Sequence, residues 1–503
     1  TIGFTGSNAA VFICLLNSYN HYPGFSVSEI FSESSMFSVS SVSSVSTRKE
    51  KVKKVLLTAI NSSWSQSNLA LYYLREMIAD LHYAVFLKEW TLKDRLLDVL
   101  YYIYSQNADV LCFSAYIWNR LYLQELIPEV IKLLPEAVIV IGGPEVENLA
   151  FLKRKGLYLI KKAGEGQFRC LAEHNFSAKE KEVFSAEHIP LKDIPFPYRQ
   201  SDKETLKGKL LYYETFRGCP FACIYCLSAS DNRSELRYNP DKKEDLQCLD
   251  KELEALIALQ PRTIKFVDRS FNINKKLAHH IWKFFIEHNC LCDVHFEIYP
   301  DLLEDDDIAL LEKAPENRIR LEIGIQTINS EVALNCGRKS NWEKTKRTLQ
   351  ELKKRTKLRI HTDLLAGLPG ENYASVINGL NEVCATLPDA VQLGILKILP
   401  ATPMQKIALD LNYKWHNQPP YQCFSSDALS FEEMRQLEIF AKLLNLYWNK
   451  EEHKTFWQEM LQKHTATDIL SALQQKHKEL NYELHSLAKN KRDAVIADVY
   501  EEC

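Results

Sequence analysis

Three cysteines stand in a C-x-x-x-C-x-x-C spacing at Cys219, Cys223 and Cys226, inside the run Gly218-Cys219-Pro220-Phe221-Ala222-Cys223-Ile224-Tyr225-Cys226. The segment ahead of them, residues 210–216, is apolar and aromatic and reads as a buried strand. The loop therefore leaves the C-terminal end of a strand, which is where α/β folds place their chemistry. Three thiolates this close need a soft metal. Zinc wants a fourth ligand, and no further Cys or His lies nearby at a usual spacing. A four-iron cluster on three cysteines instead leaves one iron free to take a substrate or cofactor.

Strands and helices alternate on both sides of that loop. Residues 55–60, 83–87, 110–114, 138–141 and 158–160 are short, nearly continuous apolar runs. Such runs are expected for strands covered on both faces of a parallel sheet. A helix follows from about Ser67, with Leu69, Tyr72, Tyr73 and Met77 on one face. The sheet's C-terminal edge then carries Ser62 and Ser63, Ser114 and Tyr116, the pair Gly142-Gly143 before Pro144-Glu145, and Gly164-Glu165-Gly166. Turns of this kind form a ligand crevice in a doubly wound sheet. After the cysteines, residues 263–267, 294–299, 319–327, 358–365 and 391–399 are five more strand-like runs. With the strand before Cys219 they make six βα repeats, an incomplete barrel.

These motifs together resemble the radical S-adenosylmethionine (SAM) superfamily, Tyr225 included, over residues 210–404. The turns of the first domain resemble the cobalamin-binding domain of one branch of that superfamily, in which this domain precedes the cluster domain. Within it the chain looks like a bacterial subfamily with a C-terminal extension, and that likeness names no substrate. The resemblance implies a [4Fe-4S] cluster on Cys219, Cys223 and Cys226, with SAM at the free iron. It implies that residues 266–271, with Asp268, lie beside the methionine moiety of SAM. Glu322 and Gln326 of the Glu-x-Gly-x-Gln strand would lie near the ribose and amino-acid part, and the segment 363–370, with Gly367, near the adenine. Glu297 belongs to the same barrel site, and Arg338 is the candidate for the SAM carboxylate. For cobalamin the implied seat is Ser62, Ser63, Ser114, Tyr116, Gly142, Gly143, Gly164 and Glu165. The Asp-x-His-x-x-Gly motif that supplies a His ligand to cobalt is absent from the first loop, so any cobalamin here would lack that lower ligand. Two local alternatives stand beside these roles: Asp268 as a cap of its turn, and Glu322 as the ion-pair partner of Arg320 or Arg338.

The expected fold is α/β: a Rossmann-like doubly wound parallel sheet over 53–168, a linker over 169–208 broken by Pro190, Pro195 and Pro197, and a partial (β/α)6 radical SAM barrel over 209–404. A helical C-terminal extension follows over 405–503, read as helices at 431–448, 456–464 and 469–488. Residues 1–50 hold a Ser/Val/Phe-rich low-complexity run, expected to be disordered. A net charge of −3 in 503 residues gives no reason to expect nucleic acid or an anionic membrane as partner. No apolar run reaches the length of a membrane span. Thirteen scattered cysteines do not look like a disulfide framework, which fits a reducing, cytoplasmic setting.

The function these observations imply is cobalamin-dependent methylation of a small molecule or peptide by a 5′-deoxyadenosyl radical, with an electron donor such as flavodoxin or ferredoxin. Two other readings are rearrangement or oxidation, or methylthio transfer, without methylcobalamin, and a non-catalytic corrinoid or redox sensor. Methylthio transfer would want a cysteine-bearing first domain, yet residues 53–168 contain only Cys112.

Overall fold

In the computed structural model the described residues are 52–177, 179, 188–230 and 233–502. The expectation of disorder for residues 1–50 lies outside them. Five strands come first: β1 (Lys53–Asn61), β2 (Tyr83–Thr91), β3 (Val110–Ser114), β4 (Val138–Gly142) and β5 (Leu157–Ile160). They pair in parallel in the order β2-β1-β3-β4-β5. Alternate residues of β1 feed two separate cores, because successive strand side chains point to opposite faces. Leu56 and Ile60 pack with α2 (Leu96–Gln106) and α3 (Arg120–Leu133), while Val55, Leu57 and Ala59 pack with α1 (Leu69–Met77) and α4 (Glu165–Glu173). The expectation of full cover fails for β2. It is an edge strand, half-buried along its length, and Phe86 is exposed. The strand order reverses between β1 and β3, so the loops after these two strands diverge and open a crevice.

A second parallel sheet runs in strict chain order from β6 (Leu210–Tyr213) through β7 (Thr263–Phe266), β8 (Asp293–Ile298), β9 (Ile319–Gln326) and β10 (Arg359–Ala366) to β11 (Ala390–Ile395). Among the described residues β6 and β11 do not pair, so the barrel stays open. In β9 and β10 every second residue is fully buried against the helices, and the others, Glu322, Gly324 and Gln326 or His361 and Asp363, are half-buried on the inner face. The strand expected to run to Phe216 stops at Tyr213, and a two-residue strand, Phe216–Arg217, turns off to pair with Glu235–Leu236.

The open end beyond β11 is covered by the C-terminal helices. The helix Phe431–Leu443 continues into a π-helical turn, Leu444–Trp448. Asn449 then takes the place of a neighbouring strand: its Oδ1 accepts from the Val391 N–H at 2.9 Å and its Nδ2 donates to the Val391 carbonyl at 3.0 Å. The helix expected over 469–488 is instead Ala466–Glu479, ended by Asn481 in the left-handed region (φ 50°), and a further helix, Lys489–Glu502, follows. The sequence reading missed that stop because Asn, like Gly, tolerates the left-handed conformation and needs no Pro to end a helix. No helix of the described residues is long and apolar enough to cross a membrane.

Candidate functional site

The three-cysteine loop is built from beneath by backbone contacts. Ile224 N–H donates to the Cys336 carbonyl at 3.1 Å, Met404 N–H to the Ile224 carbonyl at 3.0 Å, and Cys226 N–H to the Cys223 carbonyl at 3.0 Å. Gly337 sits directly under the loop with φ +72°, and a Cβ there would fall 2.7 Å from the Ala222 carbonyl oxygen. Cys223 is buried, and Cys219 and Cys226 are half-buried. Among the described residues the only three Cys, His, Asp or Glu ligand atoms within 4.8 Å of one another are those of Glu304, Asp306 and Asp307. The three thiols are thus spread wider than the roughly 3.8 Å spacing that one tetrahedral zinc with ~2.3 Å bonds would impose. A polynuclear cluster fits this donor set better than a single ion. The sequence reading missed Cys336, which lies close to Cys223. Burial first, then the neighbouring Cys223, pushes its thiol up to about 12, so it is held neutral. Burial and the same Cys223 likewise push the Tyr225 phenol up.

Asp268 ties the loop to the barrel. It is buried, and it accepts from Thr215 N–H at 3.1 Å and Thr215 Oγ1 at 2.6 Å. Burial raises its carboxyl to about 7, against the lowering effect of these hydrogen bonds. Both oxygens are taken up by the chain, so its position is that of a strap between β7 and the segment after β6. Beside it, Ser270 Oγ lies 3.9 Å from Cys219 Sγ.

Inside the barrel the inner-face side chains form one ionic network. Lys265 Nζ lies 2.8 Å from Glu322 and 3.3 Å from Glu297, and Arg269 lies 3.4 Å from Glu297. Glu322 also lies 2.8 Å from His295 Nε2. Its expected partners were Arg320 and Arg338. Arg320 instead pairs with Asp293 at 3.4 Å, and Arg338 bonds the Gly324 carbonyl. The correction follows from the strand period: Lys265 and Glu322 share the inner face across two strands, which spacing along one strand does not reveal. Burial pushes the Glu322 carboxyl up, but His295 and Lys265 more than offset this and hold it well below the ordinary range.

Asp363, one residue row above, has no such cation. Its Oδ1 has no hydrogen-bond partner, and His361 Nε2 stands 3.4 Å away. Burial and then Glu322 push its carboxyl well up, while burial pushes His361 down to about 4, so that imidazole is neutral. A carboxyl raised in the folded state stabilises the fold fully below its ordinary value, and that contribution is lost as pH climbs towards the raised one. Asp363→Asn is therefore expected to melt higher than the wild type by about 2–4 °C at pH 8 and by less at pH 5. Thermal unfolding at the two pH values measures this.

Arg338 is the cation left over. It is 8% exposed, its guanidinium stacks 4.6 Å over the Tyr299 ring, and its Nε has no hydrogen-bond partner. Among the described residues no carboxylate lies within 4.0 Å of it, so the group remains open to an anionic ligand. Tyr299 stacks on Phe221 of the cysteine loop at 4.0 Å and 12°. Neither ring was singled out in the sequence. Gln326 ends β9 in the left-handed region (φ 70°), at a bulge opposite β10, and its Nε2 fills the space above Gly324, where a Cβ would meet it at 2.8 Å. Gly367 (φ +98°) turns the chain after β10, and its carbonyl accepts from Tyr413 OH at 2.8 Å. Arg338→Ala is expected to weaken SAM binding about tenfold or more, the effect of removing a charge-assisted contact, as read by equilibrium dialysis of the reconstituted protein.

The crevice of the first sheet faces the same barrel. Ser62 and Ser63 are engaged within their own turn, with Gln66 at 2.6 Å and Ser65 at 2.7 Å, and Ser114 Oγ accepts from Asn68 at 3.2 Å. Tyr116 stacks on Trp118 at 4.5 Å, and burial, then Glu165, pushes its phenol up to about 12. Gly143 (φ +111°) brings backbone against backbone: a Cβ there would stand 2.4 Å from the Ala115 carbonyl oxygen. A Cβ on Gly164 would meet Ile160 Cγ2 at 2.7 Å, whereas one on Gly142 would have ordinary contacts. Glu165 reaches across to the other domain and accepts from Arg217 at 2.9 Å, two residues before Cys219. Arg217 also binds Glu214 at 2.8 Å. The crevice is lined by backbone turns, small polar side chains and the stacked Tyr116–Trp118 pair, a lining that suits a large, flat, amide-rimmed ligand such as a corrinoid, and no His lies in the loop after β1.

Residues 213–382 match the Radical SAM superfamily, and residues 410–501 match a family described as "Protein of unknown function (DUF4080)". No curated protein matches the chain. Among solved structures it is similar to the radical S-adenosylmethionine methyltransferase TsrM from Kitasatospora setae with tryptophan and a SAM analogue bound. That match has a TM-score of 0.58 and 17% identity over 73% of this chain and 79% of that one. The same enzyme with cobalamin and a [4Fe-4S] cluster gives a TM-score of 0.55 at 16% identity over 73% and 78%. The cobalamin-dependent S-adenosylmethionine radical enzyme OxsB, with aqua-cobalamin and SAM bound, gives 0.54 at 14% identity over 90% and 71%. At these identities the likeness establishes the fold: a Rossmann-like sheet, a partial barrel and C-terminal helices in one order.

Proposed function

We propose, from the premise that this chain is a radical SAM protein with the fold of the cobalamin-dependent enzymes, that it methylates a small molecule or peptide using a [4Fe-4S] cluster, SAM and cobalamin. The observation that carries the reading is the pairing of a three-thiol loop with a backbone-floored crevice, joined by the Arg217–Glu165 contact at 2.9 Å. Together the bound groups would supply a 5′-deoxyadenosyl radical and a transferable methyl group.

The chain's own residues hold, orient and shield. Cys219, Cys223 and Cys226 hold the cluster and leave one metal position open. Arg338 takes the SAM carboxylate, and its stack on Tyr299 fixes the direction of the guanidinium. Asp268 acts through Thr215 and is a positioning residue. The Lys265–Glu322–His295 network keeps the barrel floor polar while its charges stay paired, so it orders the inner face without offering a free charge. Gly142, Gly143, Gly164 and Glu165 would shape the corrinoid seat, and the loop after β1 carries no His to offer as a ligand. The electron would come from a flavodoxin- or ferredoxin-type donor.

The test is anaerobic reconstitution with iron, sulfide and hydroxocobalamin, followed by the visible spectrum and by 5′-deoxyadenosine formation from SAM. Cluster and corrinoid bands together with SAM cleavage support the reading. A cluster band alone favours radical chemistry without methylcobalamin, and failure to cleave SAM favours a sensor.

A further inference from the structure

We propose that the C-terminal unit, residues 410–501, forms a third wall of the corrinoid seat, and that Tyr421 is the residue by which it positions the Gly142-Gly143-Pro144-Glu145 turn. The inference rests on the corrinoid reading above. It gives a role to the segment that matches a family of unknown function.

Tyr421 lies between the two short strands Lys414–Trp415 and Cys423–Ser425 of a hairpin, with φ +58°. On one side its backbone is part of the barrel mouth. Ile398 N–H donates to the Tyr421 carbonyl at 2.9 Å, Cys423 N–H donates to the Leu396 carbonyl at 2.8 Å, and Lys397 bridges Gln422. On the other side its hydroxyl crosses to the first domain and donates to Glu145 Oε2 at 2.7 Å. Asn148 Nδ2 donates both to Tyr421 OH at 3.0 Å and to Glu145 at 2.9 Å. Arg120 completes the cluster, 3.8 Å from Glu145 and hydrogen-bonded to Gln418 of the same hairpin.

Glu145 is 4% exposed, so its carboxylate depends on these few donors. It also carries the turn: its N–H donates to the Ala115 carbonyl at 3.2 Å, the same oxygen against which Gly143 is pressed. The hairpin therefore grips the end of the turn while Ala115 grips its middle. A turn held at both points keeps its backbone face towards the crevice. Without the Tyr421 bond, Glu145 keeps Asn148 and Arg120 and the turn keeps its backbone bonds to Ala115 and Val146, but the direct tie from Glu145 to the barrel mouth is lost, so the seat loosens although neither domain loses its core.

The experiment uses the full chain reconstituted with iron and sulfide and titrated with hydroxocobalamin. Tyr421→Phe is expected to weaken corrinoid binding about tenfold, the effect of losing one hydrogen bond to a charged group, and Glu145→Gln by less, because its amide oxygen still accepts from Tyr421 and only the charge is lost. The double variant is expected to be little worse than Tyr421→Phe alone, because both act on the same bond. Iron content stays at the wild-type level. Tyr447→Phe removes an equivalent hydroxyl elsewhere in the same unit, where Tyr447 OH meets His477 Nε2 at 2.6 Å, and is expected to leave corrinoid affinity unchanged. Unchanged affinity in Tyr421→Phe overturns the inference alone. Equal losses in Tyr421→Phe and Tyr447→Phe also overturn it, since the effect would then be general loosening of the unit. A wild-type chain that takes up no hydroxocobalamin overturns the corrinoid reading, and this inference with it.

Discussion

Alanine at Cys219, Cys223 or Cys226, one residue at a time, reduces 5′-deoxyadenosine formation from SAM to background and lowers the iron content of the reconstituted protein. This is the largest effect expected from any single side chain. On the proposed reading each cysteine would be one of three protein ligands, and a cluster with one open iron would have no ligand to spare. Two controls separate ligand loss from unfolding. Cys248 is exposed on the helix Lys243–Ala258, outside the three-cysteine spacing, so Cys248→Ala is expected to keep full iron. Cys336→Ala removes a further thiol close to Cys223 that lies outside the C-x-x-x-C-x-x-C spacing, and iron content is expected to be retained. Loss of iron in Cys336→Ala, or its retention in any of the three loop variants, would reassign the ligand set. Iron and sulfide assays under anoxic conditions decide between these outcomes.

Gly143→Val empties the corrinoid seat while leaving the cluster in place. The reason is steric and local. The first atom of any side chain at Gly143 would stand 2.4 Å from the Ala115 carbonyl oxygen, a distance no real Cβ occupies, and the backbone there has φ +111°. Both demands are met only by glycine. Valine adds a β-branch to that conflict. The turn must therefore move away from Ala115, towards the crevice that the ligand needs. A loss of bound hydroxocobalamin of about a hundredfold or more is expected, equivalent to roughly 3 kcal/mol of strain, with the iron content of the wild type. Gly142→Ala, where a Cβ makes only ordinary 3.8 Å contacts, is expected to cause a far smaller loss in the same seat. Equal corrinoid content in Gly143→Val and the wild type would remove this turn from the seat.

The parts of the fold that could be read from the chain are those written in local periodicity. Apolar runs of four to six residues marked β1, β3 and β4, strand-like runs of five to nine marked the barrel strands, and turn glycines marked several of their C-terminal ends. Edge status is different: β2 is at least as apolar as β1, and only pairing on one side makes it half-exposed. Helix ends set by a lone left-handed Asn, as at Asn481, are hidden for a similar reason, because the residue is compatible with several conformations. In the candidate site, the cysteine loop was legible because its ligands are close in sequence. Cys336, Thr215, Lys265 and Tyr299 were not, since each reaches the site from a different strand or loop and no short spacing announces it. Asp268 shows the intermediate case. Its segment was identified, but its two oxygens turn out to be spent on Thr215, a partner 53 residues away.

The stack of Phe221, Tyr299 and Arg338 makes the metal loop and the anion-binding guanidinium two ends of one lever. Phe221 can hold its ring flat on Tyr299 only while the cysteine loop keeps its course, and the same Tyr299 ring supports the guanidinium. On the proposed reading the cluster loop and the guanidinium for the SAM carboxylate would therefore rest on one aromatic pedestal, so a change at Tyr299 is expected to disturb both.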